Sequence, residues 1–337
     1  MKPLLLDPQR RHLPQLDECE TTAVSWRIRG QAQGGTLSAL ISGFSEDCTV
    51  SIETMPGESI ESISSRFAAA INSDSCAQGQ GITASSAGAA VTVTGLNLNE
   101  SDIETDVSDP GLEHLLGLPH KLFFAQFADG EGLSSQMTLF NASTTAANIL
   151  ILVKDDQGLP LSVDLNGEEI PGQLNAVLAA GGLAVFETDG LGDLRVGSVS
   201  ICSDQPLAGV LLFNSPSGLA GVTSSAEQEA GFQTLIETNA LNGISTGIAI
   251  QNLESEDNFL ELELRALDGE VLAVTELELP PMGHRARFIE EFTWTPLVDF
   301  SEFRGSLRVI SSGRVAATAL QVRPGQFAAI PVIPLEP

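Results

Sequence analysis

Residues 121–337 repeat themselves, and no other feature of the sequence constrains the fold as strongly. Gly132-Leu133-Ser134-Ser135, followed by Asn141, superposes on Gly243-Ile244-Ser245-Thr246, followed by Asn252, at an offset of 111. The same offset carries Ile149, Ile151 and Val153 onto Leu260, Leu262 and Leu264, and Gly158 onto Gly269. After a change in loop length the offset becomes 108, matching Gly197-Ser198-Val199 to Gly305-Ser306-Leu307 and Pro216 to Pro324. A long period with shared turn glycines is the signature of two copies of one domain. They are expected at 121–228 and 232–337.

Within each copy, short runs of alternating apolar and polar residues are separated by turn residues, as in DDQG, LNGE and SDQP of the first. Such alternation predicts half-buried strands. Residues 261–279 form two of them across Leu267-Asp268-Gly269, and Asp-Gly is a strong hairpin signal. Glu261 and Glu263 alternate with Leu260, Leu262 and Leu264, giving one apolar and one acidic face. About seven strands in about 100 residues is the count of an antiparallel β-sandwich, in which two sheets bury their apolar faces against each other.

Residues 21–115 carry a mixed pattern and predict a small α+β domain. Strand signals occupy 24–29, 47–54, 82–86 and 91–94. A helix is predicted from Ser59, a good N-cap, with Ile60, Ile63, Phe67 and Ile71 at helical spacing. Residues 1–20 have no periodicity and are expected to form an N-terminal arm. The fold class expected is therefore mainly β: a small α+β N-terminal domain followed by two tandem antiparallel β-sandwich domains.

Two resemblances accompany this reading. Ala70-Ile71-Asn72, Gly81-Ile82-Thr83-Ala84 and the strand at Val91 resemble the IN motif of flagellin and filament-cap proteins, over residues 47–95. The long terminal helices of a flagellin are not seen, so the resemblance implies an exported appendage-type segment and no flagellin. In the second copy, STGIAIQN at 245–252, LPPMGHRARF at 279–288 and FRGSLRVISSGRVAATALQ at 303–321 resemble a tandem repeat at the C-termini of large secreted bacterial proteins. The first copy is more diverged, with LAAGGLAVF at 178–186 and an extra loop around 166–175. This second resemblance implies export and a non-catalytic, accessory role.

Charge narrows the function classes. There are 44 Asp and Glu against 16 Lys and Arg, a formal charge of -28. Such a surface repels phosphate, so nucleic acid and anionic membrane are not expected partners. Hydrophobic residues at 42% exclude a disordered acidic tail. With two Trp and no Tyr, the chain has few aromatic platforms for sugars or bases. Trp294, in the loop 292–296, is the one candidate ligand contact.

No catalytic site is expected. The nucleophile elbow G-x-S-x-G is absent, and Ser198 and Ser306, each after a glycine at matched positions, suit packing roles. Gly34-Gly35 and Gly181-Gly182 are expected to be turns rather than phosphate cradles. His114 and His120 suit surface histidines better than a metal pair, and His284, beside Arg285 and Arg287, is expected to pair with Glu290 or Glu291. Asn141 and Asn252 are expected to bond their own backbone at turns, although Asn141-Ala142-Ser143 and Asn99-Glu100-Ser101 also fit a glycosylation sequon. No cofactor is expected. Calcium would find its nearest approach to a binding loop at Asp155-Asp156-Gln157-Gly158, which is more simply a hairpin turn.

The four cysteines are Cys19, Cys48, Cys76 and Cys202, with no CxxC spacing. They are either small buried thiols or paired, and full pairing leaves three connectivities open. The pair expected is Cys48 with Cys76, tying the start of a strand to the region after the next helix, which would need an oxidising compartment. The N-terminal Leu4-Leu5-Leu6 run is too short for the apolar stretch of a signal peptide, so the export route is not given. No run approaches the ~18 apolar residues of a membrane span.

These readings lead to a non-catalytic extracellular or cell-surface structural protein acting by self-assembly, as a filament or appendage subunit, or by adhesion. The arm and the Pro-bounded tail 328–337 are the segments expected to cross between subunits. The alternative is an accessory binding module of a secreted hydrolase.

Overall fold

The computed structural model of the chain describes residues 23–42, 47–87, 89–95, 103–116, 118, 120–215 and 218–335. The arm at 1–20 and the sequon at Asn99 lie outside the described residues. The architecture is mainly β, a small α+β unit followed by two antiparallel β-sandwiches.

The first unit contains β1 (Ala23–Gly30), β2 (Gly35–Ile41), β3 (Cys48–Thr54), α1 (Ile60–Ser73), α2 (Ser75–Gly79), β4 (Thr83–Ala87), β5 (Ala90–Thr94), β6 (Ile103–Val107) and β7 (Leu112–Leu116). Two sheets, β4-β5-β1-β7 and β3-β2-β6, pack with α1. Ser59 caps the helix by accepting from the Ser62 amide. Ile63, Phe67 and Ile71 are fully buried, each contributing about 1.5–3 kcal/mol of apolar burial. Trp26 of β1 meets Phe67 edge-on, with centroids 5.7 Å apart. A disulfide joins Cys48 to Cys76, linking the start of β3 to α2. The strands β2, β6 and β7 add to those expected from the sequence, and the main chain of His114 lies in β7, paired with Ile28.

The first sandwich contains β8 (His120–Asp129), β9 (Ser134–Asn141), β10 (Ala147–Asp155), β11 (Val163–Leu165), β12 (Glu168–Ile170), β13 (Gln173–Leu178), β14 (Leu183–Glu187), β15 (Arg195–Ser203), β16 (Leu207–Ser215) and β17 (Gly218–Thr223). Its sheets run β13-β10-β15-β8 and β14-β9-β16-β17. Between them lie Phe124, Leu139, Ile151, Ile201 and Leu211. The stretch 166–175, expected as an extra loop, instead ends the hairpin β11-β12 and begins the edge strand β13. Asn166 and Gly167 both take positive φ at that hairpin, which is why Asn-Gly stands there.

The second sandwich contains β18 (Gly231–Asn239), β19 (Ser245–Asn252), β20 (Asn258–Arg265), β21 (Val271–Leu279), β22 (His284–Phe288), β23 (Glu302–Ser311), β24 (Val315–Arg323), β25 (Gln326–Ile330) and β26 (Val332–Pro334). Its sheets run β21-β20-β23-β18-β26 and β22-β19-β24-β25. Taken in chain order, the strands fall into the same two successions as in the first sandwich. Only the hairpin β11-β12 and the added β26 differ. Gly197 and Gly305 show why glycine recurs: a Cβ there would lie 1.9 Å from the Lys154 carbonyl and 2.0 Å from that of Arg265.

The tail differs from its expected role as a crossing segment. Val332 and Ile333 pair with Thr234 and Gln233, and Leu335 donates to the Gly231 carbonyl, so the described part of the tail completes the edge of its own sheet. Pro331 and Pro334 suit that position, because an edge strand leaves some amides without a ladder partner.

Candidate functional site

The two sandwiches meet face to face. In an antiparallel sheet, side chains alternate sides, so the core residues Ile248 and Ile250 of β19 leave Ala249 and Gln251 on the outer face. That face lies against the outer face of β8 and β15. Gln251 Nε2 donates to Ser200 Oγ at 2.8 Å in a buried contact, and Phe123 packs with Leu253 and Ala316. Leu320 and Phe327 reach the core of the first sandwich. Gln228, from the connecting segment, exchanges two main-chain hydrogen bonds with Val315.

At one end of this junction stands an ion pair. His284 is fully buried, and its Nδ1 lies 2.9 Å from Asp156 Oδ1, while Arg285 Nη1 lies 3.6 Å from Asp156 Oδ2. His284 therefore pairs across the junction with the first sandwich, and not with Glu290 or Glu291 as expected. Those two carboxylates are engaged elsewhere: Glu291 accepts from the Phe288 amide and Glu290 from Ser245 Oγ. The hydrogen bond from His284, aided by the nearby Arg285, holds the Asp156 carboxyl below its ordinary range against the opposing effect of burial. Gly158, at the same turn, has φ 77 and brings its Cα so close to the second sandwich that a Cβ would lie 2.1 Å from the Pro281 carbonyl.

A groove of about 500 Å³ opens along the junction. Leu133, Val196 and Phe213 line it from the first sandwich, and Ile248, Phe288 and Leu320 from the second. Arg287 and Glu291 also line it, and the Arg287 guanidinium lies over the Phe292 ring at 5.7 Å. The size falls within the range of small-molecule sites. Its chemistry is that of apolar contact, with a cation and a carboxylate on one wall.

Of the residues singled out in the sequence, His284 and Asp156 meet at this junction, and Trp294 does not reach it. Trp294 is 3% exposed and donates from Nε1 to the Ile289 carbonyl. It is a core residue among Phe292 and Phe300 rather than a ligand contact, because its indole N–H is satisfied internally and its ring face is covered. Asp155 and Asp156 do not offer a calcium loop: Asp155 Oδ1 accepts from the amides of Gln157 and Leu159, and Asp156 faces His284. Among the described residues, the one cluster close enough to share a cation is Cys48, Asp74 and Cys76, whose sulfurs are bonded to each other. Cys202 is also disulfide-bonded. Ser198 is fully buried in β15, and Ser306 Oγ in β23 accepts from Gln233 Nε2 of β18, so neither stands in a nucleophile's position. Asn141 is fully buried, which removes its sequon from modification in the folded chain.

Asp109 carried no expectation. It is 1% exposed and sits under the first unit, where its carboxylate accepts from Thr54 Oγ1 and from the amides of Gln33, Gly34 and Gly111. Burial raises its pKa, but those four donors outweigh it and bring it to about 2. The Asp109-Pro110-Gly111 turn signal marked the spot, while the partners 55 and 76 residues away did not show in the sequence.

No protein-family model matches the chain. No curated protein matches it either. Among solved structures it is compared with infectious bursal disease virus of the Gx strain at 11% identity, covering 94% of this chain and 78% of that one with a TM-score of 0.16. The Gt strain gives 11% identity, coverage of 93% and 75%, and a TM-score of 0.18. At those scores the likeness carries no inference about fold or function.

Proposed function

We propose that this chain is a non-catalytic structural protein of the extracellular space or cell surface, working by self-association or adhesion. The two sandwiches are copies of one domain, and the chain uses them as a single stiff element. The observation that carries this reading is the face-to-face junction, in which Gln251, Phe123 and His284 all find partners across the boundary. A flexible two-domain binder would keep that boundary small and polar. The Cys48–Cys76 disulfide supports an oxidising compartment, and with it export. Electron microscopy of the purified chain, paired with light scattering, tests the reading. Filaments, or particles larger than 35.4 kDa that grow with concentration, are expected. Monodisperse monomers that adhere to no cell-surface preparation would refute it.

The groove along the junction favours a second reading, an accessory binding module of a secreted hydrolase. On this reading the ligand sits between the sandwiches and Trp294 has no part in it. An Ala286→Trp variant, whose side chain would stand on the outer face of β22 beside Ala249 and fill the groove, would abolish binding to an insoluble polymer while leaving the melting temperature near that of the parent.

A further inference from the structure

The outer face of β22-β19-β24-β25 is seated on the first sandwich. Among the described residues, no element covers the corresponding face of the first sandwich, on β14-β9-β16-β17. Its outward rows follow from the register. Leu183, Phe140 and Ala208 form one row, and Val185, Thr138, Val210 and Thr223 the next. Glu187, Gln136, Leu212 and Gly221 form a third, and Asn214 and Leu219 close the face. Leu183 is 65% exposed, Leu219 57% and Phe140 43%. On a chain of charge -28, these rows carry one charge, Glu187 at the end of its row. Four strands about 4.8 Å apart, in rows about 6.8 Å apart, spread the face over roughly 400 Å². The largest apolar patch of a monomer, a few hundred Å² across, is often functional.

We propose that this face docks on the same face of a second copy of the chain, giving a twofold dimer. The proposal rests on the self-association reading above and names its contact. Two observations select the partner. The junction within the chain already demonstrates what covers a face in this position: the sheet face of another sandwich. Among the described residues, the open sheet face on β21-β20-β23-β18 is the wrong chemistry, since around Phe259 and Leu235 it presents Glu261, Glu263, Glu276 and Glu278 beside Arg265 and Arg308. Seating those carboxylates on Leu183 and Phe140 would strip their water and return no hydrogen bond, a large penalty. An uncharged face fits an uncharged face, and a face that fits itself closes as a twofold contact. Both copies together would bury about 800 Å², below the roughly 1,200–2,000 Å² of stable interfaces and in the range of weak, transient ones, so dissociation in the micromolar range or weaker is expected.

Sedimentation equilibrium between about 1 and 200 µM, a range that brackets a micromolar dissociation constant, tests this. The parent chain should pass from monomer to dimer. Leu183→Lys and Val210→Lys, each melting near the parent temperature, should stay monomeric, while Glu276→Lys on the charged face should dimerise like the parent. If Val210→Lys fails to fold, Leu183→Lys at its exposed position still decides. A parent that associates but is indifferent to Leu183→Lys would overturn this contact and leave self-association standing. A parent that stays monomeric at every concentration would overturn both.

Discussion

Asn141 and Asn252, 111 residues apart, make the same set of hydrogen bonds. Each is fully buried at the end of a strand. Asn141 Nδ2 donates to the carbonyls of Thr145 and Ala179, and its Oδ1 accepts from the Ser143 amide. Asn252 Nδ2 donates to the carbonyls of Glu256 and Pro280, and its Oδ1 accepts from the Glu254 amide. Each side chain thus closes its own turn, two and four residues on, and ties it to the turn that follows the next edge strand of its sandwich. This matches the expectation that both asparagines serve the backbone, and it adds the distant partner.

Replacing either asparagine with alanine removes the acceptor of the Ser143 or Glu254 amide and the tie to the distant turn, while the Ala179 and Pro280 carbonyls keep the amides of Gly182 and Gly283. With one amide losing its partner, a loss of about 1–3 kcal/mol is expected at either site. Calorimetry should show a similar drop for Asn141→Ala and Asn252→Ala, each confined to its own sandwich. A drop at one site only would mean the two turns are not equivalent.

Asp109 sets an acid limit for the first unit. Its pKa is held at about 2 in the folded chain, below the ordinary value of about 3.9. A carboxyl with a lowered folded pKa contributes stability that is fully present above its unfolded pKa and is lost as pH falls through the folded one. Melting of the first unit should therefore decline between about pH 4 and about pH 2. Asp109→Asn should melt lower at neutral pH and show a flatter decline over that window.

Gly158 and Gly269 occupy matched turns with different surroundings. A Cβ on Gly158 would collide with the Pro281 carbonyl, whereas one on Gly269 meets nothing within 4 Å. Both take positive φ, so alanine costs about 1–2 kcal/mol of backbone strain at either. Only Gly158→Ala should also loosen the junction. A larger radius of gyration by X-ray scattering, with faster proteolysis in 224–230, is expected for Gly158→Ala and not for Gly269→Ala.

The Cys48–Cys76 bond closes a loop with a sequence separation of 28. Chain-entropy arguments assign such a loop about 3–4 kcal/mol. The Cys48→Ala, Cys76→Ala double variant should lower the melting temperature of the first unit by that equivalent and leave the sandwich transitions in place. An unchanged first transition would show that the reduced chain is held by its core alone.

Much of the fold was legible because its signals are local. The period of two in Leu260, Leu262 and Leu264 sets a buried face, and Asp268-Gly269 sets a turn by its positive φ, whatever lies elsewhere in the chain. The cap at Ser59 and the apolar stripe of α1 were legible for the same reason. Trp294 misled because composition marks an aromatic residue but not the side of the strand or turn it faces. Burial with Phe292 and Phe300 is a tertiary outcome.

By itself, then, the sequence determined most of the strands and turns, the longer helix and the recurrence of one pattern, since each follows from the stereochemistry of a few adjacent residues. The tertiary structure alone decided which sheet faces meet. The Asp156–His284 pair spans 128 residues, and Gln251 finds Ser200 across 51. Such contacts arise only after two sheets have formed and their outer faces compete for burial, a choice that no local run of residues encodes.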